Sequence, residues 1–399
     1  VTDVEVRPLA ESELRAALDL FRVALHRTAI PDEQWAAVRR SFEPGRTLGG
    51  FVDGTLAGTA LSWTSDFVVP GGAVVPMAAV TRVGVRTDFR RRGVLTALMR
   101  HQLADAAERG EVLATLRATE PVIYPRFGYG PASTSAKTAV RTRGAGLRPD
   151  VPTGGRVRVV DADEALRVLP EIYRRVGRVP GTMGRPEYWW TVFYERAFVA
   201  REPVHIAVHS GPDGDDGFAM YRTEPGAAPK MTATVSVEDF VAADPGVVAG
   251  LWRFLVGIDL VDEVTVWNRP ADEPVAAMLV DSRAATVDIQ PDLWARVVDV
   301  EAALAARAYG PGSVVVEVVD PLLPANSGRY RVGADGAARA DDTAELVVDV
   351  DVLPMLYLGA WRVSALAGLG RLREVVAGAA ERADSVFAVR RASWSGTYF

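Results

Sequence analysis

The stretch Val80–Thr96 (VTRVGVRTDFRRRGVLT) constrains this chain more than any other. An apolar, strand-like run ends at Val83-Gly84-Val85. Arg90, Arg91 and Arg92 follow, and Gly93 opens a run with Leu95, Leu98, Met99, Leu103 and Ala106 at helical spacing, ending near Arg109. A strand handed to a helix across a short polar loop calls for a mixed α/β domain. A helix start leaves several backbone N–H groups without partners and carries partial positive charge, so it can cradle a phosphate. Gly93 would let a ligand approach without a Cβ in the way. The arginines add bidentate contacts to further phosphate oxygens. These features together suit a phosphate-bearing cofactor, while a basic triplet before a helix, taken alone, is more often a solvated turn or a surface patch for nucleic acid.

The flanking pattern extends the α/β reading. Glu11 to Arg27 reads as a helix with Leu14, Leu18, Phe21 and Leu25 on one stripe, and Pro31 to Ser41 as a short helix holding Trp35. Thr47 to Trp63, Met77 to Val85 and Val112 to Ala118 read as strands, with a turn-helix at Glu120 to Arg126. Arg141 to Arg156 is rich in Gly, Pro and Arg and reads as a linker. Near Asp288 to Asp292 a strand-like run ends and a helix pattern opens at Trp294. These breaks give three expected domains, 1–145, 151–289 and 290–399, which suits 399 residues. Gly211–Gly217 and Gly333–Gly336 read as hairpin or surface loops.

Ordinary catalytic equipment is scarce. The chain has no cysteine, which excludes disulfides, thiolate metal sites and a cysteine nucleophile. None of the four histidines, His26, His101, His205 and His209, sits in an HExxH pattern, so no metal is expected. His205 and His209 share a face of a strand-like run and read as half-exposed strand residues. No GxSxG elbow supports a hydrolase. The acidic start, Asp3, Glu5, Glu11 and Glu13, contradicts a signal peptide. The apolar run Phe67–Val80 is too short and too broken by Pro70 and Pro76 to span a bilayer. A soluble cytoplasmic protein is expected, or one secreted without a recognisable signal. Net charge is −6, but the first 150 residues carry +4, which suits a small anionic ligand better than nucleic acid or a membrane.

Arg90-Arg91-Arg92-Gly93-Val94-Leu95 resembles motif A of the GNAT acetyltransferases, R/Q-x-x-G-x-G/A, departing only where Leu95 replaces a small residue. A second stretch, Ala118–Pro131 (ATEPVIYPRFGYGP), resembles the enhanced intracellular survival (Eis) family, whose members carry SE-x-x-IY-x-RFGYGPA. Further segments follow that family's layout: Ile172–Gly181, Arg185–Trp190, Gly217–Arg222, Leu251–Val264 and Leu356–Leu372. The resemblance covers the whole chain. It implies tandem GNAT-like domains, the second degenerate because no R-x-x-G precedes a helix there, followed by a sterol-carrier-protein-like domain.

The same resemblance implies acetyl-CoA as co-substrate. Val83, Gly84 and Val85 would meet its pantetheine arm and the oxyanion. Arg90, Arg91, Arg92, Gly93, Val94, Leu95 and Thr96 would hold its pyrophosphate, and Thr119 and Glu120 would border the site. Tyr124 would protonate the departing thiolate, and the α-carboxylate of the last residue, Phe399, would act as base. The acceptor would be a small amine, an aminoglycoside by family habit, with a polyamine or protein lysine as alternatives. A non-catalytic CoA- or lipid-binding relative is the alternative of a different class. Trp35, His26 and Tyr398 are the expected acceptor contacts, with Trp63, Phe89, Asp32, Glu33 and Asp66 as further candidates. Family members form hexamers, so a homohexamer is expected.

Overall fold

The computed structural model describes residues 3–152, 154–176, 178–195, 204–226 and 232–399. Thr153, in the expected linker, and Gly177, in the Ile172–Gly181 segment, lie outside the described residues. The chain divides into two compact units. One contains Val1–Ser133, Leu293–Arg390 and Phe399, and the other Thr134–Asp292 and Arg391–Tyr398.

The first unit begins with β1 (Glu5–Pro8), α1 (Leu14–Ala24), α2 (Asp32–Arg39), β2 (Thr47–Val52), β3 (Thr55–Val68) and β4 (Val74–Val85). It continues with α3 (Val94–Glu108), β5 (Leu113–Arg117) and β6 (Gly130–Pro131). The run Thr47–Trp63, expected as one strand, is a hairpin, because Asp53 and Gly54 take φ of 49° and 72° and turn the chain. Helix α3 lies close on the sheet. A Cβ on Gly58 would come within 2.7 Å of the Val94 side chain, and one on Gly50 within 3.0 Å. Leu98, Met99, Leu103 and Ala106 are buried on its inner face, at the expected spacing.

The second unit holds β7 (Thr134–Arg141), β8 (Arg156–Val160), α4 (Ala162–Val176), α5 (Glu187–Trp190), β9 (Val204–Gly211), β10 (Gly214–Pro225) and β11 (Ala233–Ala242). After these come α6 (Pro245–Val256), β12 (Val261–Pro270) and β13 (Ala285–Pro291). Its strands run β13-β7-β12-β11-β10-β9-β8, with Trp252, Leu251 and Leu255 of α6 buried against them. Strand β7 therefore belongs to this sheet, although the sequence reading places it within 1–145.

The chain then returns to the first unit as β14 (Leu293–Val297), which completes the order β1-β2-β3-β4-β5-β14-β6. The helix expected from Trp294 starts instead at Val300, where the Asp299 carboxylate accepts from the Ala302 N–H. All five residues of β14 are buried. A strand covered on both faces loses its alternation, and periodicity cannot separate it from a buried helix. A third sheet follows, formed by β15 (Ser313–Val319), β16 (Gly328–Gly333), β17 (Gly336–Arg339), β18 (Leu346–Asp349) and β19 (Arg373–Glu374) in the order β17-β16-β15-β18-β19. Among the described residues no helix is long and apolar enough to cross a membrane.

Arg296 of β14 ties these layers of the first unit together. Its guanidinium donates to Phe127 O at 2.9 Å and to Asp320 Oδ2 at 2.6 Å, and both ionic side chains are wholly buried. Asn326 donates to the same Asp320 oxygen at 2.8 Å and to Val298 O at 2.9 Å. Two glycines of the RFGYGP segment have no room for a side chain. A Cβ on Gly128 would come within 2.5 Å of Arg296 Nε, and one on Gly130 within 1.9 Å of Asp351 O. Removing one member of a buried pair strands the other without water. Arg296→Met should therefore lower stability by about 3–5 kcal/mol, read as a fall in the urea midpoint at unchanged slope.

Candidate active site

Strands β4 and β5 are parallel, and their pairing runs only from Met77↔Leu113 to Ala79↔Thr115. Beyond that point β4 continues to Val85 without a ladder partner on its β5 side, so the sheet opens. On its other side β4 pairs with β3, with Thr59 opposite Gly84 and Leu61 opposite Thr81. Arg82 and Val83 thus oppose a single residue, Ala60. Arg82 sits at φ 51°, the mark of a bulge that re-aims the strand. Its guanidinium donates to Ser41 Oγ at 2.7 Å and lies 4.4 Å from the centre of the Phe42 ring. Neither bulge nor Arg82 was legible in the sequence beyond the nearby Gly84. Gly84 itself is buried, and a Cβ there would meet Phe21 and Ala24 of α1 at 3.2 and 3.4 Å, so its bareness serves helix packing.

Past β4, Arg86 N–H donates to Ala57 O and the loop passes through a single turn at Thr87–Phe89. Arg86 and Asp88 form an ion pair that holds the Asp88 carboxyl below its usual range, with Arg92 adding to the effect. Arg90, Arg91 and Arg92 are exposed, and among the described residues no carboxylate pairs with Arg90 or Arg91. Arg91 and Gly93 both have positive φ, 63° and 88°. A Cβ on Gly93 would meet nothing within 4 Å, and no side chain caps the helix it precedes. The first-turn N–H groups of Val94, Leu95 and Thr96 thus face an open, positively charged space, which fits a pyrophosphate. Leu95 is partly buried with Val83 against the cluster that holds Tyr124, so the bulky residue at that motif position packs inward.

After β5, Thr119 and Glu120 are exposed, and two tight turns, Pro121–Ile123 and Pro125–Phe127, bracket Tyr124. Tyr124 shares a cluster with Ala78 and Val80 of β4 and Met99 of α3. Its ring lies 5.9 Å from that of Tyr129, whose hydroxyl is buried without a hydrogen-bond partner among the described residues. Burial pushes the Tyr124 phenol up to about 12 and raises Tyr129 further.

The last residue reaches the same unit. Phe399 packs edge-on against Trp63 of β3, ring centres 5.5 Å apart. Trp63 is buried and stands opposite Ala79, the residue at which β4 parts from β5. Among the expected acceptor contacts, Trp35 packs on Phe42 at 5.9 Å and beneath Arg15, within a small cluster of Leu18, Ile30 and Val38. His26 is exposed just past the end of α1 at φ 57°. Asp32 and Asp66 are exposed, as is the Tyr398 side chain. Of the two strand histidines, His205 is half-buried, as expected, and His209 is not. His209 is buried and bonded to Asp216 Oδ1 at 2.5 Å, and His205 stacks on Tyr221. Among the described residues no group of three metal-ligating side chains forms.

Residues 5–132 match a GNAT acetyltransferase domain model, 181–297 a second GNAT acetyltransferase domain model, and 300–396 a sterol carrier protein domain model. The chain is thus an acetyltransferase with two GNAT domains and a sterol-carrier-like third. It is 36% identical to an N-acetyltransferase of Streptomyces avermitilis, over 100% of this chain and 99% of that one. To the N-acetyltransferase Eis of Mycobacterium tuberculosis it is 35% identical, over 91% of this chain and 88% of that one. The crystal structure of Eis1 from Mycobacterium abscessus superposes with a TM-score of 0.90 at 37% identity, covering 100% of both chains. The chain belongs to the Eis family of N-acetyltransferases.

The raised phenol has a measurable consequence. A tyrosine that ionises near 10 when unfolded and near 12 when folded adds stability that is complete below pH 10 and is lost as pH rises through 12. Ultraviolet titration of the wild type minus Tyr124→Phe should show no phenolate from this residue below about pH 11. Stability against urea should decline less steeply for Tyr124→Phe than for the wild type between pH 10 and 12.

Proposed function

We propose that this chain transfers acetyl from acetyl-CoA to an amine by direct attack, with aminoglycosides as the acceptor class. The observation that carries this reading is the seating of Phe399 on Trp63, in the unit that also holds Tyr124 and the arginine loop. Acetyl-CoA supplies the activated acyl group. The open N-terminus of α3, with Arg90 and Arg91 beside it, holds the pyrophosphate, and the parted edge of β4 from Val80 to Val85 receives the pantetheine arm. A backbone N–H of Val83 to Val85 stabilises the oxyanion.

The α-carboxylate of Phe399 takes the proton from the acceptor amine, directly or through water. A carboxylate near 3.5 is a weak base for an amine, so a desolvated amine with a depressed pKa reacts best. Tyr124 returns a proton to the sulfur. With its phenol near 12 and a thiol near 8.5, stepwise transfer is uphill by about 5 kcal/mol. Proton transfer concerted with C–S cleavage removes that barrier, and burial keeps the proton in place until then. Trp35, His26 and Tyr398 contact the acceptor. The same reading makes this a cytoplasmic enzyme that assembles with copies of itself.

Free thiol release tests the proposal, since a chain without cysteine adds no background. With acetyl-CoA and a panel of aminoglycosides, polyamines and lysine peptides, at least one aminoglycoside should turn over. Tyr124→Phe and removal of Phe399 should each slow it about 100-fold or more. Turnover of polyamines or peptides alone would reassign the acceptor. Acetyl-CoA binding with no turnover of any amine would favour a binding protein.

A further inference from the structure

The second GNAT domain repeats the sheet opening of the first but closes it. Strands β11 and β12 are parallel from Ala233↔Val261 to Val237↔Val266 and part beyond. Only Ala243 and Asp244 lie between β11 and α6, and the Asp244 carboxylate accepts from Gly246 N–H at 2.7 Å and Val247 N–H at 3.1 Å. A carboxylate thus occupies the helix end that Gly93 leaves open in the first domain. Arg269 of β12 donates to Phe240 O of β11 at 2.7 Å, bridging the parted strands.

Along this closed opening lies the chain's own end. The Trp394 indole donates to Asn268 O at 2.7 Å, and Trp394 N–H donates to Pro180 O at 2.8 Å. At Gly181, φ 95°, a Cβ would come within 2.5 Å of the Trp394 nitrogen, so the tail packs against bare backbone. Ser393, Ser395 and Thr397 are buried. The hub is Arg185, whose side chain is 1% exposed. It binds Asp239 bidentately at 2.6 and 3.0 Å, donates from Nε to Thr397 Oγ1 at 3.0 Å, and donates from Nη2 to Gly396 O at 3.0 Å. The rings of Tyr173 and Trp189 cover it at 4.1 and 4.2 Å. The Trp189 indole also donates to Tyr398 O at 2.9 Å, the carbonyl of the peptide bond that joins Tyr398 to Phe399.

We propose that the second GNAT domain has exchanged cofactor binding for holding the chain's own end, and that Arg185 is the positioning residue that aims the Phe399 carboxylate. This rests on the reading of Phe399 as the base. A buried guanidinium needs its donors satisfied, and two of the bonds made by Arg185 are to tail oxygens. The tail and the domain therefore order each other, and the carboxylate inherits that order.

The test compares full-length wild type with Arg185→Lys, Trp189→Phe and Thr397→Val, each also made without Phe399. Arg185→Lys keeps a cation for Asp239 but cannot serve the tail as well, Trp189→Phe removes the bond to Tyr398 O, and Thr397→Val removes the hydroxyl's bonds to Arg185 and Tyr173. Three quantities are measured: kcat, the KM for acetyl-CoA, and the rate at which carboxypeptidase releases Phe399. The expected result is a fall in kcat of about 10- to 100-fold, an acetyl-CoA KM within about twofold, and faster release of Phe399. Removing Phe399 from the variants should cost less than its removal from the wild type, because both changes act through one carboxylate. The positioning role is overturned if kcat and release stay at wild-type values in all three variants, or if the two losses simply multiply. Should Phe399 removal leave kcat unchanged while the variants still free the tail, the base assignment fails and the holding of the tail stands.

Discussion

A single buried cation, Arg296, closes the first unit. A desolvated guanidinium is tolerated only when its donors are met, and Arg296 meets them from its own strand and from two other segments of the chain. Phe127 O comes from the turn after Tyr124, Val297 O from its own strand, and Asp320 from the segment after β15. These partners coincide only after the chain has left the first sheet, built the second, and returned as β14. The turn that carries Tyr124 is therefore completed by residues some 170 positions downstream. This gives the RFGYGP segment its physical meaning. Gly128 makes way for Arg296 and Gly130 for the Asp351 carbonyl, so the segment is a mating surface for β14 and the residues after β18.

One fold used twice shows how little separates a cofactor site from a structural element. Both GNAT domains part a pair of parallel strands beside a helix N-terminus. In the first, an eight-residue loop brings three arginines and ends at Gly93 with φ 88°, leaving the helix dipole open to an anion. In the second, the loop shrinks to two residues and Asp244 satisfies the same kind of N–H groups from within the chain. The difference is one carboxylate that satisfies the second helix end, where the first helix end stays open.

Much of this was legible where local rules suffice. Helix α3 follows its apolar spacing, and the Gly-rich loops at Gly211–Gly217 and Gly333–Gly336 are the hairpins they resemble. Three features escaped for separate reasons. The turn at Asp53-Gly54 was hidden inside an apolar run that reads as continuous. Strand β14 carries no alternation because both of its faces are covered. His209 reads as a half-exposed strand residue, yet its neighbour in space is Asp216 across the β9–β10 hairpin, and a buried His–Asp pair needs both members on the page at once. The site divides the same way. The arginine loop and Tyr124 are local motifs. The meeting of Phe399 with Trp63 joins residues at opposite ends of the chain and leaves no local trace.

That meeting carries an entropic cost that sharpens its significance. Fixing one residue's backbone opposes folding by roughly 1–2 kcal/mol, which is why free ends usually fray. Here the residues from Trp394 to Tyr398 are held by contacts of the kind that discriminate position rather than merely bury area. Trp394 is held through both its indole and its backbone N–H, Thr397 by Arg185 and Tyr173, and Tyr398 through its carbonyl. Directional hydrogen bonds fix the chain's register, where an apolar groove would let it slide. An α-carboxylate is the one acidic group whose position is set wholly by backbone, with no side-chain torsions of its own. A chain without cysteine and with few histidines can therefore place a carboxylate accurately by anchoring the backbone that leads to it.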